Sequence, residues 1–173
     1  VYGKSGYTAQ QVLKHILPTI TETQTDLIVI GLGANDAFKL NHPVRWNRQI
    51  RSLIEQLRNK FPQAPIAFIS VPPIKEFPSF TSLLRLTIGN LIELLGAELR
   101  LIVNDYPHVF YRGHNLTVKE WCDRFGIENN PAIFFSDGVH PTALTYQLWA
   151  QDFAQYLIEK RCINPVGDFK GKQ

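Results

Sequence analysis

Leu27-Ile28-Val29-Ile30 is an unbroken apolar run that empties into Gly31-Leu32-Gly33-Ala34-Asn35-Asp36. A strand that shows no polar alternation must be covered on both faces, and that is the habit of strands in parallel sheets. Ile66–Val71 reads as a second buried strand, stopped by Pro72-Pro73, and His108–Tyr111 as a third, short one. Val1-Tyr2 reads as the tail of a further strand.

Helical patterns separate these runs. Thr8-Ala9-Gln10-Gln11 fits a capping box, and Val12, Leu13, Ile16, Leu17 and Ile20 follow on one helical face. After Pro43, the positions Trp46, Ile50, Leu53, Ile54, Leu57 and Phe61 mark a second amphipathic helix. A long helix is expected from about Leu83 to Asn104. Thr117-Val118-Lys119-Glu120 is another capping box opening a short helix through Phe125, and Leu144 to Leu157 carry the last one. Strands alternating with helices imply a parallel α/β sheet with right-handed crossovers.

In such sheets ligands bind beyond the carboxyl ends of the strands. Three polar turns lie at such ends: Gly3–Thr8, Gly31–Asp36 and Ser136–His140. Asp137 and His140 are three residues apart, just before Pro141, which suits a first helical position. In a tight turn the carboxylate can take the Nδ1 proton of the imidazole and leave Nε2 as a base. Taken by itself, the same stretch reads equally well as a capped helix start with an incidental His. The convergence of all three turns on one rim moves the functional reading ahead.

The 173 residues suffice for one domain with a full core, assigned to 1–159, with 160–173 as a basic tail. A net charge of +3, with no dense Lys/Arg block, excludes a nucleic-acid groove as a leading idea. Charged residues interrupt the greasy region Leu83–Val103, so no membrane span is expected. Cys122 and Cys162 fit no metal or redox spacing. His15, His42, His108 and His114 likewise lack ligand spacing, and Trp46, Trp121 and Trp149 sit at core spacing.

The three turns also carry a resemblance. Gly3-x-Ser5-Gly6-x-Thr8, Gly33-Ala34-Asn35-Asp36 and Asp137-Gly138-Val139-His140-Pro141 are similar to blocks II, III and V of the SGNH hydrolases, the GDSL esterases and lipases. The Val71-Pro72-Pro73-Ile74 loop with Phe77-Pro78 looks like a bacterial subgroup of that family. The resemblance spans Val1 to Leu157. It implies a flavodoxin-like, three-layer α/β/α fold with strand order 2-1-3-4-5. It also implies Asp137 and His140 as acid and base of a triad, with the Asn35 amide and the Gly6 N–H as oxyanion donors. No metal or organic cofactor is implied. Expected substrates are acyl esters or thioesters, in the manner of an esterase, thioesterase or lysophospholipase. Carbohydrate O-deacetylation and a non-catalytic binding role on the same scaffold are the alternatives. Phe38, Leu40, Phe77, Phe80 and Leu84 are candidates for an acyl pocket, with core packing or a surface patch equally open for each.

The family's first block, Gly-Asp-Ser, has no counterpart here. Its Ser would be the nucleophile, and its strand would lie between the second and third. The chain opens on Val1 and contains no Met. An upstream segment is therefore expected as a partner, as a separate or cleaved polypeptide, without which this chain is expected neither to fold stably nor to act. Ser5, Ser70 and Ser136 are weak substitutes for the nucleophile. Asp36 is expected to brace its turn rather than to titrate in catalysis.

Overall fold

The computed structural model describes residues 1–70, 74–113, 117–128, 130–138 and 140–163. The expectations placed on Val71, Pro72, Pro73, His114, Val139 and the tail beyond residue 163 lie outside them. The three apolar runs form β1 (Ile28–Ile30), β2 (Ile66–Phe68) and β3 (Val109–Tyr111). They make one parallel sheet in the order β1-β2-β3. Register places Ile28, Ile66 and Val109 in one row and Val29, Ala67 and Phe110 in the next. Side chains alternate between faces. The first row therefore joins the main core, and Ala67 and Phe110 turn to the opposite face.

Helices cover both faces, as a parallel sheet requires. The main core packs the sheet against α3 (Pro43–Lys60) and α5 (Asn90–Asn104), which bury Trp46, Ile50, Ile54, Leu95 and Ile102. On the other face, Phe153 and Leu157 of α8 (Ala143–Glu159) close over Ala67. Among the described residues no helix is long and apolar enough to cross a membrane.

Several elements differ from the sequence expectation. Val1-Tyr2 forms no strand. The first helix begins as α1 (Ala9–Gln11) and continues through a π-helical turn, Val12–Ile16, and a tight turn, Leu17–Thr19. The long helix is likewise α4 (Ser82–Leu84), a π-helical turn Arg85–Gly89, then α5. A π turn is a single-turn insertion within a helix, too short for a periodicity read over the whole segment to mark it. Gly33–Asp36, expected as a turn, opens the short helix α2 (Ala34–Phe38). α6 (Val118–Phe125) begins at its expected capping box, and α7 (Pro131–Phe134) leads to Phe135.

Among the described residues β1 is an edge strand. The Ile28 N–H donates to Pro65 O at 2.9 Å and Ile30 O accepts from Ile69 N–H at 3.0 Å, so both residues face β2. Alternation then turns the backbone groups of Val29 outward, and its side chain is 52% exposed. A groove of about 540 Å³ lies along this edge, between Val1–Lys4 and β1. Val12, Ile16, Leu53 and Leu57 floor it, and Asn35 stands among its lining residues.

Candidate active site

The loop before α1 is held by side chains of α2 and the residue after it. Asn35 Nδ2 donates to Tyr7 O at 3.1 Å. Both oxygens of Asp36 accept the Ala9 N–H, at 3.2 and 3.1 Å. Lys39 Nζ donates to Gly6 O at 2.8 Å. Positions 35, 36 and 39 share one side of a helical turn, so one short helix fixes three neighbouring peptides. Gly6 takes φ +77°, which only glycine adopts freely, and open space surrounds the place of its absent Cβ. A substrate can therefore approach the backbone there. An amide nitrogen carries two hydrogens, so the bond to Tyr7 leaves Asn35 a second one to donate.

Asp36 is fully buried. Burial pushes its carboxyl above the ordinary value, and the donors Asn41 and Ala9 pull it back in part. The Asp36 carboxylate takes the Ala9 N–H, so the helix end after Thr8 already has its anion.

The third turn makes the contact its spacing suggested. Asp137 Oδ2 lies 2.7 Å from His140 Nδ1, and Asp137 Oδ1 accepts the His140 backbone N–H at 2.8 Å. One carboxylate thus fixes both the ring and the main chain of the His. Ser136 supports the same turn: its N–H and Oγ donate to His140 O, at 2.9 and 3.2 Å. The Asp137 and His140 side chains are 57% and 77% exposed, open to a substrate from solvent.

The Gly6 loop and the Asn35 helix touch directly. The Asp137–His140 turn reaches them through an aromatic chain. Phe38 of α2 meets Phe80 edge-on at 6.0 Å, Phe80 meets Phe77 at 5.3 Å, and Phe77 meets Phe135 at 4.8 Å. Phe77 and Phe80 are buried, while Phe38, Leu40 and Leu84 are exposed. The weak nucleophile candidates separate as well. Ser70 is buried and accepts the Trp149 Nε1–H at 3.1 Å, and Ser136 is occupied in the turn. Ser5 is exposed. Among the described residues no three His, Cys, Asp or Glu side chains converge as a metal set.

Sequence reasoning missed the part played by Ser79. Its Oγ donates to Asp137 O at 2.9 Å across 58 residues of sequence, a separation that no local pattern signals.

Solved structures share this fold. A Streptococcus pneumonia protein named for platelet activating factor is 19% identical, with TM-score 0.65 over 88% of this chain and 69% of its own. A Clostridium thermocellum family 3 carbohydrate esterase is 17% identical, with TM-score 0.59 over 91% of this chain and 68% of its own. An acetylxylan esterase from Geobacillus stearothermophilus is 16% identical, with TM-score 0.58 over 87% and 68%. No curated protein matches the chain significantly. The family pattern of the GDSL-like lipases and acylhydrolases covers residues 1–148, turns and intervening helices together, and the chain belongs to that family.

Proposed function

We propose that the protein hydrolyses carboxylic esters or thioesters through an acyl-enzyme, with Asp137 and His140 as the acid and base. The observation that carries this reading is the bidentate Asp137 carboxylate, 2.7 Å from Nδ1 and 2.8 Å from the backbone N–H of the same His. Such a partner holds one tautomer and stabilises the imidazolium that forms when Nε2 accepts a proton.

The nucleophile is a serine on a further segment that lies along the open edge of β1. Three features support this: the outward backbone of Val29, the apolar floor of the groove, and Asn35 in its lining. The serine Oγ bonds to the acyl carbon as its proton passes to His140 Nε2. The carbonyl oxygen, now negative, accepts from the Asn35 amide and the Gly6 N–H. Neither donor titrates, and each is held by α2 or the residue after it before substrate arrives. Collapse breaks the bond to the leaving alcohol or thiol, which takes the proton from His140. Water then repeats the sequence on the acyl-enzyme. The exposed Phe38, Leu40 and Leu84 are the acyl contacts in this reading. Phe77 and Phe80 stand behind them as packing.

A second reading, O-deacetylation of a carbohydrate, draws support from the structural neighbours named as carbohydrate and acetylxylan esterases. The wide exposure of the Asp137–His140 pair also suits a bulky alcohol.

The test uses the protein carrying its nucleophile segment, with p-nitrophenyl acetate, p-nitrophenyl octanoate and acetylated xylo-oligosaccharide as substrates. His140→Ala should lower turnover about 10⁶-fold. Retained ester cleavage in that variant rejects the proposal, and a preference for the acetylated sugar selects the second reading.

A further inference from the structure

Loop 77–80 belongs to neither half of the candidate site, yet it touches both. On one side Ser79 meets the Asp137–His140 turn twice. Its Oγ donates to Asp137 O at 2.9 Å and its N–H donates to Gly138 O at 3.3 Å. On the other side Phe80 lies edge-on to Phe38, on the helix that carries Asn35. The loop is itself braced: Arg85 Nη2 and the Phe80 N–H both donate to Phe77 O, at 3.2 and 3.0 Å.

The turn needs such a brace. Gly138 takes φ +82°, and a glycine is the most easily displaced backbone unit. The Asp137 and His140 side chains face water, which competes for the bond between them. Ser79 grips two successive carbonyls at that point. The fit leaves no room: a Cβ on Gly138 would stand 2.1 Å from Ser79 Oγ. The glycine and the serine are thus two parts of one contact.

We propose that Ser79 is a positioning residue for the Asp137–His140 pair. It holds the peptides on either side of Gly138 so that the Asp137 carboxylate stays on His140, while Phe77 and Phe80 set the distance from that turn to α2. The inference rests on the acid–base reading above and adds to it a residue that acts through the turn rather than on substrate.

The test compares Ser79→Ala and Ser79→Thr in the protein carrying its nucleophile segment. Two measurements are made. One is ester turnover, split into kcat and KM. The other is hydrogen exchange at the His140 amide, which donates to Asp137 Oδ1 and needs no turnover to be read. In Ser79→Ala, kcat should fall about tenfold with KM unchanged, and the His140 amide should exchange about tenfold faster. Core amides such as Ile102 and the urea midpoint should stay as they were. Ser79→Thr keeps the donor and should restore both readings. Unchanged exchange and kcat in Ser79→Ala overturn the proposal. So does a loss that spreads to the core amides and the urea midpoint, which marks a purely structural contact. Absence of turnover in the parent protein rejects the hydrolase reading instead, and the exchange data then decide the brace by themselves.

Discussion

Asp36 receives the Ala9 amide on both carboxylate oxygens, at 3.2 and 3.1 Å, across 27 residues of sequence. The same carboxylate accepts from Asn41 at 2.9 Å, so one buried group joins the start of α1 to the far end of α2. Burial raises its folded pKa above the unfolded one. The native state therefore binds the proton more tightly. Asp36's favourable share of stability is full below the ordinary carboxylate range, about pH 4, and is lost as pH rises through the folded value. Asp36→Asn should remove that downward slope in a series of urea midpoints taken across this window. Asp36→Ala strands the Ala9 and Asn41 donors and should cost about 1–3 kcal/mol at neutral pH, read from the same unfolding curves.

Asp137→Asn tests the tautomer argument without emptying the turn. The amide oxygen can still accept the His140 N–H, so the fold should hold. The ring loses its anionic partner, and turnover should fall about 10⁴-fold, with a circular-dichroism melt near that of the parent.

Asp152 is 2% exposed and lies between two guanidinium groups. Arg112 meets it with two bonds of 3.0 Å, and Arg124 also donates to it. These contacts tie the end of β3 and α6 to α8. Asp152→Ala leaves two cations without their shared anion. Both are partly exposed and rehydrate in part, so the expected loss is about 2–3 kcal/mol rather than the full cost of a buried charge. Chemical denaturation measures it, and Asp152→Asn should recover a fraction through hydrogen bonding alone.

Leu40 ends α2 with φ +52°, a left-handed conformation that a leucine adopts at a cost. Its side chain is 69% exposed, so little packing offsets that cost. Leu40→Asn should raise stability by about 0.5–1 kcal/mol in thermal unfolding. If Leu40 contacts the acyl chain, KM for p-nitrophenyl octanoate rises in the same variant while KM for the acetate does not.

The parts of the fold written in local pattern were legible. The three apolar runs gave the strands, Thr117 and Glu120 marked the start of α6, and the three-residue spacing of Asp137 and His140 anticipated their contact. What could not be read lies in contacts between distant segments. Asp36 was expected to brace its turn, but nothing local names Ala9 as the recipient. Gly33-Ala34-Asn35-Asp36 read as a turn because α2 is a single short helix held by the loop it supports. The hydroxyl of Ser79 finds its use only when the chain brings it beside Gly138. Phe77 and Phe80 were evenly balanced between pocket and packing because an aromatic residue in a loop looks the same either way.

The outward backbone of Val29 has a practical bearing on handling the purified chain. Without the segment proposed to lie along it, this parallel edge accepts almost any extended polypeptide, including other copies of itself. Precipitation should therefore steepen with concentration, and a soluble Val/Ile-rich peptide added to the buffer should slow it by competing for the same ladder.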